Sequence, residues 1–446
     1  MSIKSISIGG FKNIQKTQIE FNGIVALLSP NNYGKSNFLN AIDFGLDFIG
    51  ASLKERRGMM RFSKGFPLTP SLQNDDFYFQ IEIVAPELKK YCFAKYGFSF
   101  RWYKDDKSGA YITDEWLEAR ASESVRYTSY IKRKDLKFRK SKETLTYKSL
   151  PVDSQQLMID VLPIIEGTEI SIIADYIRRL DYRICSSLDL NDRFQSLPFE
   201  YYDEDNDQSI AFDDEDTPRA IYHLKENYPE KYQLFEEAVF SLFPEFTNLL
   251  LSATDTSSFS LQQLSSYKIS QNNDEAMAEE GLPDVPPARI KEELYYLFIA
   301  SKTLNQPMSI QNMSAGTKRV LWLLANIFIA SCTKISLIGI EEVETSIHPK
   351  MLKTLLEVLS EATEQSSMVI SSHSPYLVQY LKISNLYLGV PSDDGAACFR
   401  RFKKSKIKNI IELSRDLDMT VGEYIFDLLS SGNRGTAILN QFLEEV

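Results

Sequence analysis

Ser29-Pro30-Asn31-Asn32-Tyr33-Gly34-Lys35-Ser36-Asn37 sets a glycine, a lysine and a hydroxyl side by side. A loop of this kind wraps anionic oxygens in backbone N–H groups. Lys35 can then reach β- and γ-phosphates, and the Ser36 hydroxyl can ligand Mg²⁺. The segment departs from G-x-x-x-x-G-K-[ST] only at Ser29, which stands where a glycine makes the tight turn. The bland alternative is a strand-turn-helix with a capping serine.

Three later segments carry chemistry of their own. Met313-Ser314-Ala315-Gly316 opens a long apolar stretch, so Ser314 and Gly316 form either a second anion-binding corner or a simple helix N-cap. Ile335–Ile340 runs into Glu341-Glu342-Val343-Glu344, which reads either as a solvated acidic turn or as a catalytic pair. In the second reading Glu341 holds a metal ion and Glu342 orients or deprotonates the attacking water. Met368–Ile370 ends in Ser371-Ser372-His373-Ser374-Pro375, where His373 can donate to a γ-phosphate, orient water or simply bond nearby backbone.

The elements that must position these residues follow from patterning. Ile24–Leu28 reads as a buried strand before the phosphate loop, and a helix runs from the loop to about Phe48. Residues 2–21 alternate as two short strands joined by a glycine-containing turn. Gly58–Pro70 reads as a loop, and period-two patterning over about 76–148 predicts an antiparallel sheet with a turn at 105–109. Within it Arg126, Lys132, Arg133, Lys134, Lys137, Arg139, Lys140 and Lys142 interleave with Tyr127, Tyr130 and Phe138. That run is either a solvated strand face or a track for a nucleic-acid backbone. From about 154 to 251 the spacing is helical, interrupted by an acidic stretch, 203–218, that reads as a mobile loop rather than a Ca²⁺ site. A second acidic, proline-containing loop spans 271–287, and the last residues read as helices around 410–413 and 424–429.

Composition bounds the alternatives. The chain has 446 residues, 43% hydrophobic and 25% charged, as in ordinary soluble proteins. Its net charge of −11 does not advertise nucleic acid or anionic membrane over the whole surface. No signal peptide or membrane-length apolar run is present, so a cytoplasmic location is expected. Cys92, Cys185, Cys332 and Cys398 are scattered, without a zinc or disulfide pattern.

Taken in order, Gly10-Phe11-Lys12-Asn13-Ile14, the Ser29–Asn37 loop, Met313–Gly316, Ile340–Glu344 with Ile347-His348-Pro349, and Ser372–Pro375 resemble the ABC-type ATPases of the RecF, SMC and OLD lineage. The bacterial members are often termed AAA-21 or AAA-15. The resemblance covers about the first 45 residues and about 310–390. It implies an α/β ABC-ATPase head, a mixed sheet with a P-loop core plus an antiparallel β lobe, carrying an inserted helical subdomain. The expected segments are 1–150 for the first half of the head, 151–290 for the insertion and 291–446 for the second half with C-terminal helices.

The resemblance further implies ATP and Mg²⁺ as cofactors. Ser29 through Asn37 would hold the nucleotide, Ser36 and Glu341 the metal, and Glu342 and His373 would serve catalysis. Ser314 and Gly316 of one subunit would close over the γ-phosphate held by Lys35 of another, so a homodimer or higher homo-oligomer is expected. Ser29 for Gly, Glu341 for Asp and Val343 for Pro depart from the usual pattern. The extra methylene of Glu341 moves its carboxylate by about 1.5 Å and points to slow turnover. The residues after His373 end in stretches that read as helices and are not expected to form a Toprim nuclease, so the chain resembles the ATPase subunits of Septu-type and PARIS-type antiphage pairs, whose nuclease or toxin is a separate effector chain. The alternatives are a DNA-repair or chromosome-associated ATPase that binds DNA directly, and a slowly hydrolysing ATP-locked scaffold.

Overall fold

The alternating N-terminal residues close into β1 (Ser2–Gly9) and β2 (Thr17–Glu20), antiparallel with Ile6 opposite Ile19. Their turn needs Gly10, at φ +67°, because a Cβ there would lie 2.1 Å from the Asp76 carbonyl oxygen. β3 (Ile24–Leu28) is buried along its whole length and leads into α1 (Lys35–Gly50). α2 (Leu53–Met59) follows behind a Ser52–Glu55 capping box, so the segment expected as a loop from Gly58 starts at a helix end. The computed structural model describes residues 2–104, 109–135, 137–140, 147–149, 153–161, 168–186, 190, 192–195, 199–201, 216–258, 288–333, 335–362, 366–390, 392 and 394–445.

Period-two patterning produces β4 (Phe77–Val84), β5 (Phe93–Arg101), β6 (Tyr111–Arg120), β7 (Thr128–Lys134), β8 (Lys137–Lys140) and β9 (Lys148–Ser149). With β1 and β2 they build one eight-stranded antiparallel sheet in the order β2-β1-β4-β5-β6-β7-β8-β9. Most of the turn expected at 105–109 lies outside the described residues.

The stretch expected to be helical from 154 to 251 is only partly so. It contains α3 (Thr168–Arg178), α4 (Thr217–Asn227) and α5 (Pro229–Leu242), but also β10 (Tyr182–Cys185), β11 (Phe199–Tyr201) and β12 (Phe246–Asp255). The strands win because distant partners exist for them. β11 meets β13 (Ala288–Ile290), and β12 pairs along its length with β14 (Glu293–Ser301), which β15 (Met308–Ser309) then joins. Ladder bonds and cross-strand packing override local helical spacing. The acidic segment also corrects in part. Asp216 is buried, caps α4 through the Arg219 N–H and pairs with Lys291 at 3.2 Å. The remaining acidic residues, 203–207 and 213–215, and the loop 271–287 lie outside the described residues.

α6 (Ala315–Cys332) is buried along nearly its full length and packs with α4, α5 and α7 (Pro349–Ala362). The C-terminal third alternates further with β16 (Leu337–Ile340), β17 (Ser367–Ser372), α8 (Pro375–Tyr380), β18 (Leu386–Gly389) and β19 (Phe399–Arg401), and ends in α9 (Ile407–Asp416), α10 (Val421–Ser430) and α11 (Gly432–Phe442). The second sheet runs β10-β16-β17-β3-β18-β19, parallel from β10 to β18 and antiparallel only at β19.

Helix α1 is packed by both sheets. A Cβ on its Gly45 would lie 2.1 Å from the Phe79 ring of β4, while Leu39 lies over Gly339 of β16. Phe11, Phe44, Phe48, Phe77, Phe98, Phe100 and Trp102 form a continuous aromatic cluster around it, with ring centroids 4.8 to 6.3 Å apart.

Two buried charged knots tie residues 153–161 to this core. Glu115 of β6 is fully buried and accepts from Tyr96 Oη, Met158 N and Ile159 N, with Arg133 of β7 at 3.8 Å. Burial raises the Glu115 carboxyl above its ordinary range, against the pull of Arg133 and the two N–H donors. Buried Arg56 donates to Phe48 O and Ile49 O at the end of α1 and pairs with Asp160, which Arg178 also approaches.

The chain divides into two compact units. The first comprises 1–186, 333–344 and 363–446, the second 187–332 and 345–362. These lines differ from the segments 1–150, 151–290 and 291–446. Pairing of β10 with β16 carries the chain as far as 186 into the first unit, and packing of α6 on α4 and α5 gathers it into the second. Among the described residues no helix is long and apolar enough to cross a membrane.

Candidate functional site at the end of the parallel sheet

The phosphate-loop segment sits where β3 ends and α1 begins, at the carboxyl ends of parallel strands, the usual ligand edge of such sheets. Gly34 is the N-cap of α1 at φ +119°, where a Cβ would lie 2.9 Å from the Ala397 methyl. Among the described residues no side chain caps the helix, which leaves its first-turn N–H groups without a side-chain acceptor. Lys35 is buried, and its ammonium donates to Ser29 O at 2.9 Å and Pro30 O at 3.1 Å. Desolvation lowers its pKa, while Glu342, Glu344 and Glu341 pull the other way. Ser29 is fully buried, Asn31 is exposed, and Asn32 adopts φ +60°.

Tyr33 is a pillar of the loop. Its hydroxyl donates to Val390 O and accepts from Cys398 N at 3.4 Å. Burial pushes its pKa up to about 12. Asn13, from the turn between β1 and β2, braces the same loop. Its amide donates to Tyr33 O at 3.2 Å and Gly395 O at 3.3 Å, and its oxygen accepts from Asn37 Nδ2 at 2.8 Å. In the sequence Asn13 stands within Gly10–Ile14, and its place beside a glycine turn is the one signal of this bracing. Lys12 beside it is lowered in pKa by burial, with Glu341 opposing.

The acidic turn lies in the same unit, after β16, with β17 between it and β3. The Ser36 hydroxyl donates to Glu341 Oε1, bringing the two expected metal ligands together. The Glu341 N–H binds Cys185 O at 2.9 Å, so β10 sets the height of this carboxylate. Glu342 takes φ +46°, a left-handed backbone held by its N–H bond to Ser371 Oγ at 2.9 Å. His373 follows β17 and is exposed. Its Nδ1 lies 4.0 Å from Glu342 Oε1 and 3.3 Å from Glu344 Oε1. The structure therefore brings Lys35, Ser36, Glu341, Glu342 and His373 to one sheet edge.

The second unit holds the other expected corner. Ser314 is exposed, and its Oγ accepts from Thr317 N at 3.1 Å, so it caps α6. A Cβ on Gly316 would lie 2.3 Å from Ser346 O. Glycine is needed there for close approach of two turns rather than for unusual backbone. His348 caps α7 through Lys350 N at 3.2 Å.

Of the basic run, only part faces outward. Arg133 is buried by Glu115, whereas Lys132 pairs across from Arg139 and Lys134 from Lys137 on one face of the β7–β8 hairpin. Near the C-terminus, the sequence Arg400-Arg401-Phe402-Lys403-Lys404 forms another basic segment, in which Arg401 is held by Glu20 and Glu444, each at 2.6 Å.

Comparison with known proteins agrees with this architecture. Residues 173–379 match the family described as "AAA domain, putative AbiEii toxin, Type IV TA system". None of the curated proteins matches the sequence. Among solved structures, an SMC head bound to the C-winged helix domain of ScpA is 13% identical, with a TM-score of 0.50, covering 92% of this chain and 100% of that one. The SMC head domain from Thermotoga maritima is 11% identical, with a TM-score of 0.41, covering 90% and 100%. The fold resembles that of an SMC head, and the family match covers residues 173–379.

Proposed function

We propose that the chain binds and hydrolyses ATP, dimerises around the nucleotide and controls a separate nuclease or toxin in antiphage defence. One observation carries the ATPase part. Ser36 is hydrogen-bonded to Glu341 beside a buried Lys35, with Glu342 and His373 on the same sheet edge. The donor set fits a triphosphate with Mg²⁺. It offers an uncapped helix N-terminus, a desolvated ammonium and a hydroxyl against a carboxylate. Ser36 and Glu341 would hold the metal, which when bound neutralises charge on the phosphate oxygens. Lys35 binds the phosphates, Glu342 orients or deprotonates the attacking water, and His373 completes the corner. Ser314 and Gly316 of a second copy would close the site.

The effector role rests on the family description, which names a toxin of a toxin–antitoxin system, and on the resemblance to stand-alone antiphage ATPases. The test is nucleotide titration and sedimentation of the wild type and of Lys35→Ala, followed by co-purification with the products of neighbouring genes. Wild type that neither binds ATP nor changes association state with it would sink the reading.

A second reading, direct DNA binding, is favoured by the outward pairs Lys132/Arg139 and Lys134/Lys137 beside Trp116 on β6. Affinity for duplex DNA that falls steeply with salt and weakens on replacing these four residues would support it.

A further inference from the structure

We propose that Glu344 is the positioning residue for His373, fixing the hydrogen on Nδ1 and leaving Nε2 as the ring nitrogen offered to a reacting water. This deepens the ATPase reading above and rests on it. The geometry is a two-point clamp. Glu344 Oε1 accepts the His373 backbone N–H at 2.8 Å and lies 3.3 Å from Nδ1 of the same residue. A carboxylate has only lone pairs to present, so the nitrogen facing it must carry the hydrogen. In the neutral ring Nε2 is then an acceptor, suited to taking a hydrogen bond from water rather than giving one to a phosphate oxygen.

Glu344 and His373 are placed differently. The Glu344 side chain is 11% exposed and the His373 side chain 45%, so the carboxylate is the buried anchor and the ring its accessible end. The other carboxylate oxygen, Oε2, is buried with no hydrogen-bond partner among the described residues, so the contacts of this side chain that the structure shows go to His373. Glu342 stands farther from the ring, at 4.0 Å. A second group that fixes tautomer and orientation is the general arrangement by which an imidazole is set for work.

The chain has only three histidines, His223, His348 and His373, so ¹⁵N-histidine NMR of the full-length protein resolves the ring directly, with His373→Gln giving the assignment. Wild-type His373 is expected in the Nδ1–H form. Glu344→Ala is expected to release it into exchange between tautomers, and Glu344→Gln, which keeps an oxygen for the backbone N–H, to lie between. For ATP hydrolysis, Glu344→Ala should lower kcat roughly 10- to 100-fold with KM nearly unchanged, and the pH profile of kcat should move. Glu344→Gln should recover part of the rate. Nε2–H in the wild type overturns the proposal, as does a Glu344→Ala protein with unaltered tautomer and kcat. If the wild type shows the Nδ1–H form but no hydrolysis, the ATPase reading fails while the clamp stands.

Discussion

The chain opens two helices with small-residue turns, and they end differently. α1 starts at Gly34 with no side-chain cap, a left-handed N-cap residue and a lysine folded back onto the loop carbonyls. α6 starts at Ser314, whose hydroxyl is engaged by the Thr317 N–H and the Thr317 hydroxyl. In sequence each reads either as an anion corner or as a capped helix start. The first keeps its donors for a ligand, while the second uses its serine to complete its own helix. A helix N-terminus keeps all its donors for an anion of its own chain's site where no side chain already takes one.

The sharpest way to break this contrast is Lys35→Ala. Loss of a charge-assisted contact to phosphate should weaken ATP binding by about 3 kcal/mol, roughly 100-fold, in isothermal titration. Unchanged affinity would make the two corners equivalent. Next in size is Gly316→Ala. The added methyl must displace the Ser346 carbonyl from 2.3 Å, so a stability loss of about 1–3 kcal/mol is expected in denaturant unfolding, with ATP affinity of the isolated chain retained. Ser314→Ala should cost about 1 kcal/mol as a lost N-cap. Affinity of the monomer for ATP should again hold, and a loss there would show Ser314 acting on nucleotide within one chain.

The smallest expected effect concerns the helix behind the phosphate loop. Burial, with Asp47 adding repulsion, raises the Asp43 carboxyl on α1 to about 6. A carboxyl raised in the folded state binds its proton there before it would unfolded. Its contribution therefore favours folding as pH falls from about 6 towards the ordinary carboxylate value, and is lost as pH rises through that window. Relative to Asp43→Asn, the wild type should gain on the order of 1 kcal/mol between pH 7 and 4, read from unfolding midpoints.

The phosphate-loop half of this comparison was legible in sequence because strand, loop and helix are consecutive there. The buried run Ile24–Leu28, the glycine and the lysine need no distant partner to be recognised. The alternation of β1 and β4–β7 was equally local. What stayed hidden depends on contacts between remote residues. β12 begins inside the stretch read as helical to 251, and only pairing with β14, some forty residues on, makes it a strand. Asp216 read as part of a solvated acidic run, yet Arg219 N and Lys291 turn it into a buried cap. Arg133 read as one more surface cation, until Glu115 and the carbonyls of Ser154 and Gln156 claim it. In the expected site, residues carrying standard motif chemistry were nameable, whereas the bracing of Asn13 and the clamp of Glu344 follow from geometry that no spacing reveals.

The Arg56 knot gives α1 a mechanical property. The helix has 16 residues and so spans about 24 Å. One end is the phosphate loop. The other is fastened through its last carbonyls to Arg56 and on to Asp160, to which Arg178 of α3 is also drawn. A rod fixed at its tail cannot absorb a push at its tip by fraying. The contacts therefore run without a break from Gly34 along α1 to Asp160, so the helix is braced at both ends rather than being a mere backing for the loop.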